Sequence, residues 1–252
     1  MFSRFSLMLV AMAGLAVISF TSLVGAVDIE CPVIADTVLC GHSAEKDFNC
    51  GATDWGLRVK GYQGIVVFRF DMSPVQGLVI EGATFSAYCV ALNADSTTTH
   101  AISTIAHDWI EGTGDYTTSE DSATYLWPGA ALGDTWGTDN NEGSDRYGPI
   151  DAQDVINGFG GSIVNSNGEM TFRPDERSEI ELDAELVQGL VDGTQYGIVL
   201  WRDTVDMNLD LASREWQGGA EAPKLTVHTG GPAAVNPDSK IALTWGALKS
   251  IR

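Results

Sequence analysis

Short apolar–polar alternations, broken by Gly, Pro, Asn and Asp, recur along the chain from residue 33 onward. In residues 65–71 (IVVFRFD), Val66, Phe68 and Phe70 fall on one side and Val67, Arg69 and Asp71 on the other. A repeat of two residues predicts a strand with one face in a core. Residues 83–92 (ATFSAYCVAL) alternate in the same way, and 100–106 is the expected partner strand. Further strands are expected over 33–39, 57–60, 180–182, 196–201, 208–212 and 224–228. Many short strands and few helices read as a sandwich or barrel. The expected class is all-β, a jelly-roll-like antiparallel β-sandwich with two short helices.

Those helices are expected over 152–159, capped by Asp151 and stopped by Gly160-Gly161, and over 184–191, capped by Asp183 and ended by Gly193. Their acidic caps are explained by free backbone amides and the helix dipole. Residues 107–150 differ in character: they are rich in Gly, Asp, Asn and Thr and hold Trp109, Trp127 and Trp136. A connection this long points to function or local structure. No internal repeat is visible.

The N-terminus changes the picture. Arg4 is the only charge in the first 27 residues, 7–20 is an apolar run, and Val24 and Ala26 stand at −3 and −1 of a small-residue cleavage site before Val27. This is a signal-peptide pattern, and the run is short for a membrane span of about 20 residues. Residues 1–26 are therefore expected to be a signal peptide, 27–229 one domain, and 230–252 a linker and short tail. The expected location is secreted, extracellular or at the cell surface, without membrane insertion after signal removal.

The formal net charge is −20, from 34 Asp and Glu against 14 Lys and Arg. That balance argues against nucleic acid, which needs clustered cations, and against anionic membranes. Four cysteines in an exported chain, Cys31, Cys40, Cys50 and Cys89, suggest disulfides. Cys40 with Cys50 would close a short loop and leave Cys31 to pair with Cys89, but all three connectivities stay open. Zinc spacing is lacking.

No GxSxG elbow, Walker loop, dinucleotide fingerprint or HExxH pattern occurs, and His42, His100, His107 and His228 are scattered. Glu111, beside Asp108 and Trp109, is the best candidate for a buried acid, with no second carboxylate to set against it as glycoside hydrolysis requires. Asp139, Asn141 and Asp145 lie in a segment dense in oxygen ligands suited to calcium, with Asp36 and Asp71 as further candidates; a solvated acidic loop is the competing reading. Aromatic rings pack on the C–H face of a pyranose while edge groups bind hydroxyls. Trp109, Tyr125, Trp127, Trp136 and Tyr147, with Arg146, are the candidate ligand-binding residues, against core or loop-anchor roles for each. Trp201 is expected to be structural, and Trp55 lies in a Gly-rich turn. Arg69 and Arg214 are expected to join edge charge networks.

Four segments together resemble the DNRLRE-type domain, a family of secreted bacterial β-sandwich carbohydrate-binding modules. They are Ala35-Asp36-Thr37 with Asn49-Cys50-Gly51 and LRVKG (57–61); VVFRFDMS (66–73) with IEGATFSAYCV (80–90); DWIEGTG (108–114) with Ala123-Thr124-Tyr125 and Trp136; and LVQGLVDG (186–193), YGIVLW (196–201), ASRE (212–215) and APKLTVH (222–228). The match spans about residues 33 to 229. Leu190 and Tyr125 depart from family tryptophans, and the cysteines and the region 139–167 lie outside the usual pattern.

The resemblance implies a noncatalytic module, with alginate-like or other polysaccharide as ligand; the one cofactor candidate, structural calcium, comes from the acidic segment 139–145 and not from the resemblance. A structural or adhesive surface protein, docking to surface or matrix proteins through residues 236–252, is the second expectation. A polysaccharide-degrading enzyme is the third.

Overall fold

The computed structural model describes residues 26–42, 44–53, 56–61, 63–99, 101–132, 136, 162–201 and 207–232. Residues 1–25 of the expected signal peptide, the expected helix 152–159, Trp55 and the tail beyond 232 lie outside them. In chain order the strands are β1 (Val27–Cys31), β2 (Val33–Leu39), β3 (Phe48–Asn49), β4 (Leu57–Val59), β5 (Ile65–Phe70), β6 (Leu78–Leu92), β7 (Thr97–Thr99), β8 (Ala101–Thr104), β9 (Thr117–Thr118), β10 (Met170–Phe172), β11 (Arg177–Leu182), β12 (Ile198–Trp201), β13 (Leu209–Leu211) and β14 (Lys224–Pro232). Helix α1 (Ala184–Val191) lies between β11 and β12.

The described residues form an all-β, antiparallel architecture. A six-stranded sheet runs β1-β14-β6-β13-β4, with β11 also paired to β6, and a four-stranded sheet runs β2-β5-β12-β8. Two small ribbons, β10-β7 and β3-β9, complete it. The long strand β6 works as expected: Phe85, Ala87 and Cys89 are buried, whereas Thr84 and Tyr88 on the alternate face are partly exposed. Val66, Phe68 and Phe70 of β5 meet this inward face, with Phe68 and Phe85 ring centroids 5.5 Å apart. Leu186, Val187, Leu190 and Val191 of α1 close the same core. Burial of such side chains stabilises by about 1.5–3 kcal/mol each.

The other face of β5 is a correction. Ile65 and Val67 are as buried as Val66 and Phe68. They pack with Ala35, Leu39, Val199 and Trp201 beneath Ile105, Trp109, Ala123, Tyr125 and Trp136. The four-stranded sheet is therefore covered on both faces, one by the six-stranded sheet and one by the long connection after β8. Doubly covered strands carry continuous apolar runs, as the IVVF of β5 does.

Pairing differs as well. Segment 100–106, expected against β6, instead holds β8, which pairs with β12, and the preceding β7 pairs with β10. Asp183 precedes α1 as expected, but its carboxylate makes no cap bond. It accepts instead from the Ser166 amide and hydroxyl, 17 positions earlier in the chain. Gly193 ends the helix with φ 69°, a left-handed conformation that glycine adopts without cost.

The register also separates Cys31 from Cys89. Cys31 pairs with Leu225, and Leu225 pairs with Phe85. Cys89 thus lies two strands across and four positions along, roughly 9.5 Å by roughly 13 Å, beyond the ~7 Å Cα reach of a disulfide. That expected pairing is excluded by sheet geometry.

Two-sided burial has a direct test. Val66→Ala and Val67→Ala, on opposite faces, should each lower the unfolding free energy by about 1–3 kcal/mol. Urea titration reads both; a near-neutral Val67→Ala would mean an uncovered outer face.

Candidate functional site

The connection over β5 is a folded layer. Within it the Ile110 amide donates to Pro128 O at 2.9 Å, Thr124 N–H to Trp127 O at 2.9 Å, and Ala130 N–H to Glu120 O at 2.9 Å. Asn49, fully buried at the end of β3, completes the bonding. Its amide nitrogen donates to Glu111 O (2.7 Å) and Ala123 O (2.8 Å), and its oxygen accepts from the amides of Gly51 (3.3 Å) and Gly114 (2.8 Å). Gly51 has no room for a side chain: a Cβ there would sit 2.3 Å from Glu111 O.

This layer decides the fate of the expected sugar platform. Trp109, Tyr125 and Trp136 are 2%, 2% and 1% exposed. The Trp109 indole N–H donates to Tyr196 O at 3.0 Å and that of Trp136 to Thr124 O at 3.1 Å. The Arg69 guanidinium covers the Trp109 ring at 4.7 Å, and Lys46 Nζ lies 5.4 Å from the Tyr125 centroid. These rings are spent on the outer core and present no face to a ligand, which corrects the expectation for all three. Trp127 is half-buried, with its N–H on Ser119 O at 3.1 Å. Trp201 is buried, as a structural residue should be. Arg146, Tyr147 and the calcium candidates Asp139, Asn141 and Asp145 lie outside the described residues.

The buried acid has partners that the sequence did not reveal. Arg214 binds both Glu111 oxygens, at 2.9 and 2.8 Å, and contacts Glu215 at 2.8 Å. Asp36 N–H donates to Glu111 Oε1 at 2.7 Å, and the Asp36 carboxyl oxygen Oδ2 accepts from the Arg214 backbone N–H at 2.7 Å. Burial pushes Asp36 up to about 8, and burial also raises Glu111. Asp36 is only 1% exposed, so substrate cannot reach it; the cluster is a bracket holding β2, the loop layer and the 213–215 turn together. Arg69 likewise binds Asp108 and the carbonyls of Trp109 and Tyr196, not Asp71, which accepts from Ser73 N–H at 2.9 Å. No group of three or more His, Cys, Asp or Glu side chains suited to a metal occurs among the described residues.

Among the described residues, two concavities stand out. One, of about 450 Å³, lies between β5 and the end of α1 and is mainly apolar, with Ile34, Phe70, Met72, Leu190 and Val191 in its wall. Its cation, Arg69, is engaged by the bonds just given. The other, of about 500 Å³, is polar and is lined by His42, Glu45, Arg58, Lys60, Gln63 and Tyr116. Its walls are two hydrogen-bonded turns, Glu45 N–H to His42 O at 2.9 Å and Gln63 N–H to Lys60 O at 2.9 Å. Arg58 is aimed by a two-point contact with Asp210, 2.8 and 3.3 Å, which raises its pKa further. Tyr116 stands at φ 51° with its ring edge-on to Phe48, centroids 6.3 Å apart. This cleft gathers donors, acceptors and one aromatic ring from three distant stretches of chain, and no spacing in the sequence announced it.

Neither the models of protein families nor the curated proteins include a match to this chain. The DNRLRE-type resemblance therefore rests on the motif residues themselves. Several of these, Asn49, Gly51, Glu111 and Arg214, are the ones that meet in the layer's polar joints. No helix of the described residues is long and apolar enough to cross a membrane.

Two outcomes follow from these joints. Asn49→Ala should cost at least about 3 kcal/mol, since it strips partners from several buried backbone groups, measured by chemical unfolding. Asp36 keeps its proton in the folded state up to about pH 8 but ionises near 3.8 once exposed. Its stabilisation is thus full below pH 4 and declines between pH 4 and 8, by up to about 1.4 kcal/mol per pH unit. Asp36→Asn should flatten that decline in melting scans; an unchanged slope would remove Asp36 as its source.

Proposed function

We propose that this protein is a secreted, noncatalytic polysaccharide-binding module on a jelly-roll-like antiparallel β-sandwich, and that the polar cleft at Tyr116 is its ligand site. The observation that carries the reading is the cleft's lining. Its walls carry the donor-bearing side chains of Lys60, Arg58 and Gln63, the carboxylate of Glu45, the imidazole of His42 and the aromatic ring of Tyr116. Sugar chains present alternating C–H faces and hydroxyl edges, and this mixture complements them. The cleft's volume matches small-ligand sites, and its open polar walls suit a segment of a long chain. The motif resemblance supports the same class, and the signal-like segment before Val27 supports export.

A noncatalytic role is favoured by the chemistry of the carboxylates. Among the described residues, Asp36 and Glu111 form a tight carboxyl cluster that is tied to Arg214, with Asp36 buried and Glu111 partly buried. General acid and base groups must contact the substrate; Asp36 is buried, and both Glu111 oxygens are held by Arg214.

Affinity electrophoresis on acidic and neutral polysaccharides tests the reading. Retardation is expected on at least one glycan, weakened roughly tenfold in Lys60→Ala combined with Gln63→Ala, about the loss of one or two hydrogen bonds. Trp127→Ala should leave it unchanged. No retardation on any glycan overturns the proposal, and self-association in the same gels favours an adhesive role. Release of reducing ends or unsaturated sugars would mean an enzyme.

A further inference from the structure

The cleft is backed by a pair of sulfur atoms. Cys40 follows β2 and Cys50 follows β3, and both are fully buried. Their Sγ atoms lie 3.6 Å apart although 10 positions separate the residues. Tyr116 spans the pair: its hydroxyl oxygen is 3.6 Å from Cys40 Sγ, and its backbone N–H faces Cys50 Sγ. The segment between the two cysteines carries His42 and Glu45, two of the cleft's lining residues. Closing to the ~2.05 Å of a disulfide needs a movement of about 1.5 Å, a small rotation of two side chains.

The other cysteines are placed differently. Cys31 and Cys89 are held apart by sheet register, as the β1-β14-β6 pairing requires. Cys31 ends β1 and Cys89 lies within β6; at both, burial and then a nearby Asp (Asp71 for Cys31, Asp210 for Cys89) push the thiol to about 11. Such thiols are poor nucleophiles at neutral pH.

We infer that Cys40 and Cys50 form the protein's one disulfide, that Cys31 and Cys89 stay thiols, and that the bridge fixes the wall of the Tyr116 cleft. The reaction is thiol–disulfide exchange with a disulfide donor such as glutathione disulfide. The Cys40 thiolate attacks a donor sulfur and releases one donor thiol. Cys50 then displaces the second, so two S–H bonds and one donor S–S bond are exchanged for one protein S–S bond and two donor thiols. Because both sulfurs are sealed in the finished fold, the exchange belongs to the stage before β3 and β9 close over them.

The covalent assignment stands apart from the sugar-binding proposal; only the effect on the cleft rests on it. The full chain, refolded in a glutathione and glutathione disulfide buffer, is denatured without reductant, alkylated and mapped by mass spectrometry. Two alkyl groups are expected, on Cys31 and Cys89, with one linked peptide pair joining Cys40 to Cys50. Four alkyl groups, none, or a link to Cys31 or Cys89 would overturn the inference. Cys31→Ala with Cys89→Ala should leave the linked pair intact. Cys40→Ser with Cys50→Ser should lower Tm by about 5–10 °C and match wild type treated with reductant; if reductant leaves wild-type Tm unchanged, the bridge is absent. If the linkage is found but the serine variant binds glycan as wild type does, the cleft-shaping role fails while the disulfide stands. Absence of glycan binding in both would instead count against the functional proposal.

Discussion

Glu111 is the point at which three remote stretches of chain are joined. Its carboxylate accepts from the Asp36 amide on β2 and from both arms of Arg214 in the turn after β13. Its own backbone oxygen accepts from Asn49. A layer of irregular chain is costly to bury, because each unpaired amide or carbonyl loses its water. Glu111 and Asn49 supply partners where no regular ladder can, and Arg214 offsets the buried charge. With those joints in place the long connection lies flat on the four-stranded sheet, and its indoles become core. Remove the joints and the same rings would have no interior to fill.

Much of this was legible as local pattern and little of it as pairing. The alternation over 83–92 gave the strand β6, in which Phe85, Ala87 and Cys89 face the core. In β5 the same reading gave the strand and missed the second buried face. The signal was present: Ile65, Val66, Val67 and Phe68 are consecutive apolar residues, more than a one-sided strand requires. β1 was missed although Val27, Ile29 and Cys31 alternate with Asp28 and Glu30, because it directly follows the export-like segment. The ribbons of two or three residues leave no periodicity to read. Partner choice, as in β8 with β12 and not β6, depends on contacts far apart in the chain.

The site shows the same division. Glu111 beside Trp109 was the best candidate for a buried acid, but the sequence also read as a solvated loop acid, and Asp36 and Arg214 reach it from 75 and 103 positions away. Aromatic composition could not separate a sugar platform from a second core, since an indole supplies the same apolar area and the same N–H donor to either. The difference lies in whether a sheet face is available beneath the loop. The polar cleft was invisible for the opposite reason: His42, Lys60 and Tyr116 are unremarkable alone and gain meaning only when two turns and a left-handed residue bring them together.

That arrangement also bears on why the proposed ligand is a neutral-to-anionic chain of hydroxyls and not a cation. The chain as a whole carries −20, so its mean field repels anions and draws cations. Within the cleft the balance is local: Arg58 is countered by Asp210, and Lys60 and Glu45 both line the same polar space. Paired charges of this kind leave no excess to concentrate an ion, but they fix directional donors and acceptors in rigid turns. Hydroxyl-rich chains reward direction more than charge. Each sugar hydroxyl both donates and accepts, and only a wall offering the two in alternation satisfies it as it leaves water.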